Sequence, residues 1–163
     1  MAGLKIRTEH WPVEKFTPDP EELARHDNQE EIRLRGLDMQ EKGQLQPVAA
    51  TEDGEMIYGH GRLLSAGAAG IKTLEVKVYP ALDRTQILLL RASENLQRKE
   101  VTGYRKWRLC DALIKLNGWQ GKDLAEHLHQ DPSSVTRLLS PGKCTLAWQD
   151  ALRDGKVGIS DCY

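Results

Sequence analysis

The chain has 163 residues, a formal net charge of -1, and 39% hydrophobic and 29% charged residues. That length suits one ordinary domain or two small ones, and the composition supports a packed core, which excludes wholesale disorder. A uniformly basic nucleic-acid coat is excluded too, but a local basic stripe is not: between positions 84 and 108, Arg84, Arg91, Arg98, Lys99, Arg105, Lys106 and Arg108 face only Glu94 and Glu100, while the first fifty-six residues lean acidic.

Residues 4–20 read as a short strand around Trp11 followed by the loop Thr17-Pro18-Asp19-Pro20. Glu21 to Arg25 forms a helical turn. Glu30 to Lys42 is a helix with Ile32, Leu34, Leu37 and Met39, stopped by Gly43. Gln44 to Ala50 is a loop entering a strand, with Pro47 holding Gln46 extended. Asp53-Gly54 turns a hairpin into Met56-Ile57-Tyr58. Gly59-His60-Gly61-Arg62 then makes a glycine turn into a small-residue helix from Leu63 to Gly70. Such a strand–turn–helix favours anions, because backbone N–H groups point out of the helix start and glycine lets a phosphate approach. Arg62 faces the same place. The plain alternative is a tight turn needing positive φ at Gly59 or Gly61, with His60 solvated.

Ile71 to Tyr79 alternates as a half-buried strand, and Asp83 caps a helix reaching Leu96. That helix closes on Glu94-Asn95-Leu96-Gln97-Arg98. Arg98 offers a planar fork suited to phosphate oxygens. Asn95 and Gln97 can donate to phosphate or sugar, and Glu94 can hold a metal-bound water or orient an attacking one. A capped, solvated helix turn is the alternative. Lys99 to Asn117 reads as one long helix with Gly103 a soft spot in its interior and Asn117-Gly118 its end. Gly121 to Ser140 reads as a helix-turn-helix, with Leu124, Ala125 and Leu128 inside, His129-Gln130 at the turn, and Asp131 and Pro132 opening the second helix. Lys122, Gln130, Ser133, Ser134, Thr136 and Arg137 are left outside, where such a motif meets DNA. After Pro141-Gly142, Trp148 to Leu152 is a short helix. Another is expected to begin within Lys156 to Asp161, with Ser160 as its cap, and the chain reads as truncated at Tyr163.

Cys110, Cys144 and Cys162 lack C-x-x-C or zinc-ligand spacing and read as reduced thiols of a cytoplasmic protein. No run approaches the roughly 18 apolar residues of a membrane span.

Four stretches together resemble the ParB family of chromosome and plasmid partition proteins of bacteria: Gly43-Gln44-Leu45-Gln46-Pro47-Val48, Gly59-His60-Gly61-Arg62-Leu63-Leu64-Ser65-Ala66, Glu94-Asn95-Leu96-Gln97-Arg98, and the helix-turn-helix. The third matches the family's pattern closely. In the second, Gly61 stands where the family usually has the first of two adjacent arginines; further downstream, Arg105-Lys106 replaces the family's usual acidic pair.

The resemblance implies an α+β fold: a small mixed sheet with helices, of the ParB/sulfiredoxin type, over 1–98, followed by an all-α helix-turn-helix domain over 99–163. It implies a CTP-dependent DNA clamp, a nucleotide-dependent homodimer on nucleoid or plasmid DNA, with a ParA-type ATPase as partner. CTP would lie between the glycine turn and the Glu94 to Arg98 segment, with Mg2+ on its triphosphate and slow hydrolysis to CDP and phosphate. By position, the cofactor-binding residues would be Gln46, Gly59, His60, Gly61, Arg62, Ala66, Glu94, Asn95 and Arg98. Glu94 and Gln97 would be catalytic, Glu94 would also serve the metal, and the Gly43 to Pro47 loop would approach the cytosine. The helix from Lys99 would connect the two parts and act as a hinge. Two alternatives stand beside this reading: a DNA-binding regulator that does not use nucleotide, and an enzyme of the ParB/sulfiredoxin fold, such as an ATP- or ADP-dependent kinase or a nuclease.

Overall fold

The computed structural model describes residues 3–163. By internal contact the chain divides into two units, the first ending at Leu82 and the second running from Asp83 to Tyr163.

The first unit is built on β4 (Thr73–Tyr79), whose alternation places Leu74, Val76 and Val78 on one buried face. β1 (Arg7–Pro12) pairs with it antiparallel, Arg7 opposite Val78 and Pro12 opposite Thr73. β2 (Val48–Thr51) lies parallel on its other side, Val48 opposite Val76, and β3 (Met56–Tyr58) closes a hairpin with β2. The order is β1-β4-β2-β3, a mixed four-stranded sheet as expected.

Three α-helices and a 3-10 turn at Val13–Lys15 complete the described part of the unit. α1 (Pro20–Ala24) is capped by Asp19, and α2 (Gln29–Lys42) is capped by Asn28 and stopped at Gly43. α3 (His60–Ala69) crosses from β3 to β4. Met39 of α2 and Ala66 of α3 join Trp11, Phe16, Val48, Ala50, Met56, Leu74, Val76 and Val78 in one core.

The second unit is helical throughout its regular elements. α4 (Arg84–Gln97) starts on an Asp83–Gln86 capping box. α5 (Gly103–Asn117) is capped by Thr102 and ends at Gly118. α6 (Gly121–Leu128), α7 (Pro132–Leu139), α8 (Leu146–Arg153) and α9 (Ile159–Cys162) follow. Leu88, Leu89 and Ala92 of α4 share a core with Leu109, Cys110 and Leu113 of α5, with Leu124, Ala125 and Leu128 of α6, and with Val135 of α7.

Three expectations change here. The division falls at Leu82, not near residue 98, because the apolar face of α4 packs on the helices after it rather than closing the first unit. The helix expected from Lys99 begins only at Gly103; Arg98 is already extended, so the segment between α4 and α5 is not a helical connector. Gly103 is therefore the first residue of α5, where the penalty of an interior glycine does not apply. The last short helix is capped at Gly158, whose N–H donates to Asp161 at 2.7 Å, and not at Ser160. Among the described residues no helix is long and apolar enough to cross a membrane.

Burial pushes the Cys110 thiol up to about 12. Its thiolate, the reactive form, is then scarce at pH 8. Native protein treated with iodoacetamide at pH 8 should be alkylated at the half-buried Cys144 and Cys162 and spared at Cys110, with all three labelled in denaturant; peptide mass mapping reads the pattern.

Candidate nucleotide and nucleic-acid sites

The loop after α2 is pinned to the sheet by one side chain. Gln44 Oε1 accepts from the Glu75 N–H at 2.7 Å, and its Nε2 donates to the Glu75 carbonyl at 2.9 Å and the Gln46 carbonyl at 3.0 Å. The carboxamide thus acts as a strand residue one step ahead of the Val48–Val76 pair. Gln46, held by this loop, accepts from Arg62 Nη2 at 2.9 Å through Oε1, and Arg62 Nη1 reaches the Pro47 carbonyl at 3.5 Å. Two residues expected at the cofactor, Gln46 and Arg62, therefore meet. Gln44 was visible in the sequence only as part of a motif. Its signal was an amide between a helix-stopping glycine and a Gln-Pro pair.

The two glycines of the turn serve different needs. Gly59 has φ of +98° and lies so close to β2 that a Cβ would stand 2.6 Å from Val48 Cγ1. Gly61 needs no positive φ, since it is already helical. A Cβ there would meet Arg35 Nη1 at 2.6 Å and His26 Cε1 at 2.9 Å. The first helical bond of α3 runs from Leu63 N–H to the Gly59 carbonyl, which leaves Gly61 and Arg62 in the N-terminal turn.

His60 is neither solvated nor at the surface for a ligand. It is 3% exposed, and its Nε2 accepts from the Asp19 N–H at 3.1 Å. That bond assigns the ring proton to Nδ1 and ties the start of α1 to the start of α3. Ala66 is wholly buried among the sheet residues and offers no surface to a nucleotide. Its place in the motif is explained by packing.

In the second unit, the 94–98 segment is the last turn of α4. Arg98 ends the helix and is held by two carboxylates: Nη1 donates to Glu94 at 3.2 Å and Nε to Glu100 at 2.9 Å. The backbone N–H of Glu100 and then Arg98 hold the Glu100 carboxyl below its usual range. Asn95 is buried on the inner face, and Gln97 is exposed at the helix end. The basic run is not one solvated stripe, because Arg91 is buried and Arg98 is ion-paired. Among the described residues no cluster of three metal-ligating side chains occurs.

α6 and α7 are joined by His129, the one non-glycine with positive φ (51°) among the described residues. Asp131 caps α7, accepting from the Ser134 N–H at 3.1 Å and from the Ser133 hydroxyl. Those bonds, the Ser133 hydroxyl first, hold the Asp131 carboxyl below its usual range. Lys122, Gln130, Ser133, Ser134, Thr136 and Arg137 are all exposed, as expected. Not all are idle: Thr136 Oγ1 donates to the Pro132 carbonyl at 2.9 Å, and the Arg137 guanidinium lies 5.5 Å from the centre of the Tyr163 ring.

No family model matches the sequence. Among curated proteins, the chain is 27% identical over 149 residues to the chromosome-partitioning protein Spo0J of Thermus thermophilus, covering 90% of this chain and 55% of that protein. It is 21% identical over 147 residues to a probable chromosome-partitioning protein ParB of Rickettsia bellii, covering 90% and 51%. The chain spans about half the length of these relatives.

Among solved structures, a Pnob8-like ParB-N domain matches with a TM-score of 0.74 at 16% identity, over 99% of this chain and 80% of that one. The C-terminally truncated ParB of Caulobacter crescentus complexed to its centromeric parS site matches at 0.64 and 20% identity, over 94% and 82%. The same protein complexed with CTP-gamma-S matches at 0.52 and 20% identity, over 96% and 89%. The fold is the mixed α+β fold of ParB N-terminal regions. The resemblance to the ParB family read from the sequence holds in both the curated relatives and the structural neighbours.

Gly59→Ala should lower stability by about 2 kcal/mol or more, since a left-handed φ costs of order 1–3 kcal/mol for a side-chain-bearing residue and the Val48 clash adds to it. Chemical denaturation of the variant beside wild type checks this. For Asp131 the depressed carboxyl stabilises the fold above the ordinary carboxylate range, and that contribution is lost as pH falls through the folded value. Asp131→Ala should therefore lower Tm at pH 7, and the gap from wild type should narrow towards pH 3; thermal melts across that range read it.

Proposed function

We propose that this chain is the nucleotide-binding and DNA-binding part of a ParB-type partition protein, a CTP-dependent switch that acts on double-stranded DNA. The observation that carries the nucleotide half is the convergence of Gln46, the Gly59 turn and Arg62 at the start of α3. A helix start with a guanidinium beside it suits a polyphosphate. The Caulobacter crescentus relative complexed with CTP-gamma-S supports CTP as the nucleotide. Gln46 and the loop pinned by Gln44 would face the base, and Arg62 would exchange the neutral Gln46 acceptor for a charged phosphate oxygen.

Arg98 would itself meet phosphate by exchanging a carboxylate for it. Its ion pairs are half-exposed, and such pairs contribute only about 0–1 kcal/mol. Mg2+ bound on the triphosphate would neutralise its charge, with Glu94 the carboxylate at hand and Gln97 the exposed amide that could orient a water. Slow hydrolysis of CTP and nucleotide-driven closure of two protomers belong to this proposal.

The α6–α7 pair is the helix-turn-helix of the reading. Arg137, Ser134, Lys122 and Gln130 would meet phosphates and base edges, with Ser133 and Thr136 reorienting from local bonds. The relative complexed to its parS site supports DNA as the partner. The second reading, a DNA-binding regulator that needs no nucleotide, is favoured by one observation: Arg98 is already neutralised by Glu94 and Glu100.

Calorimetric titration of CTP and, separately, ATP with Mg2+ tests the proposal. CTP should bind at micromolar concentration and ATP far more weakly. Arg62→Ala and Arg98→Ala should each weaken CTP at least tenfold, because a charge-assisted hydrogen bond contributes about 1.5–3 kcal/mol. ATP binding in place of CTP would promote an enzyme of this fold. No binding of either, with DNA binding intact, would leave the nucleotide-independent regulator.

A further inference from the structure

We infer that Arg35 of α2 is an anion-binding residue of the nucleotide site, reaching it through the space that Gly61 leaves open. The inference rests on the nucleotide reading above and adds a residue that no motif contains. Its basis is a steric fact: the Arg35 guanidinium lies against the Gly61 backbone, where a Cβ would stand 2.6 Å from Nη1. On the same side the His26 ring would stand 2.9 Å away, so any side chain at position 61 would have to displace both groups. Gly61 is helical and needs no glycine for its backbone angles. What it permits is the approach of a cation from another helix.

The charge pattern is consistent with this use. Arg35 and Arg62 bring two guanidinium groups to the first turn of α3, which already carries the positive end of the helix dipole. Both guanidinium groups and the dipole would favour an anion at that turn. In the sequence, position 61 is where the resemblance calls for an arginine; in the structure, an arginine from position 35 stands at that place. The charge has been moved from one helix to another without leaving the turn.

Arg35 can also change partners at low cost. It is ion-paired to Glu31 at 2.7 Å, one helical turn back on α2. The Glu31 side chain is 60% exposed, so the pair is screened by water and is readily exchanged for a phosphate oxygen. Two-thirds of the Arg35 side chain is covered, which limits the freedom it would lose on binding.

A relocation experiment tests this. CTP with Mg2+ is titrated into wild type, Arg35→Ala, Arg35→Lys, Gly61→Arg and the double variant Arg35→Ala/Gly61→Arg, with a thermal melt of each. Arg35→Ala should weaken CTP at least tenfold with little change in Tm, and Arg35→Lys should fall between. Gly61→Arg alone should lose stability through the clash. The double variant should recover CTP affinity to within a few-fold of wild type, with the melt restored only in part because His26 still crowds position 61; regained affinity is an outcome a merely structural Arg35 would not produce. Wild-type affinity in Arg35→Ala, while Arg62→Ala loses binding, would overturn the inference and leave the nucleotide reading standing. Absence of CTP binding in wild type itself would overturn both.

Discussion

The closeness of backbone to its neighbours at residues 59–61 is the constraint on which the first unit depends. Gly59 lies against Val48 and Gly61 against Arg35 and His26, with no room for a Cβ at either. These contacts set how near α3 can come to β2 on one side and to α2 on the other. The same closeness presents the N-terminal turn of α3 beside the Gln44–Pro47 loop, so Arg62 can reach Gln46 and the Pro47 carbonyl. Packing and the candidate site therefore follow from one steric requirement. His60 strengthens it from below, since its buried ring takes the Asp19 N–H and fixes the entry of α1.

The second unit obeys a different rule. Its core is a stripe of leucines shared by four helices, and the polar groups of interest are those the stripe leaves at helix ends. Arg98 stands at the end of α4, Ser133 and Ser134 in the first turn of α7 and Arg137 in its last. Helix ends are where backbone groups lack partners; the start of α7 offers N–H groups to an anion, whereas the end of α4 offers only carbonyls, so there the Arg98 side chain alone would meet one. In the free chain local carboxylates occupy those positions: Glu94 and Glu100 on Arg98, Asp131 at the start of α7. Under the proposed function a polyanion would compete with these acidic side chains for the same donors, an exchange of partners.

Elements and caps were legible in the sequence because they depend on neighbours along the chain. Asp83, Asp131 with Pro132, Gly43 and Gly118 each act within one helical turn, and each was readable from local chemistry. The alternation of Leu74, Val76 and Val78 announced the central strand by the two-residue period of the backbone. The motif residues Gln46, Gly59, Arg62 and Arg98 were named for the same reason, as short strings with a mechanism attached.

What only the tertiary structure decided involves residues far apart in the chain. Arg35 against Gly61, His60 on Asp19 and Gln44 on Glu75 join positions that no periodicity links. The division at Leu82 is of the same kind: α4 reads equally well as the end of one unit or the start of the next, and only the face it buries settles it. By itself the sequence determined the strands, most of the helices and the caps at Asp83 and Asp131, and it set the candidate residues in short strings, because each rests on local geometry; the start of α5 and the cap of the last helix it did not. The fold decided which of those residues became core, as Ala66 and His60 did, and which cation outside the motifs reached the turn, because burial and close approach depend on the whole chain at once.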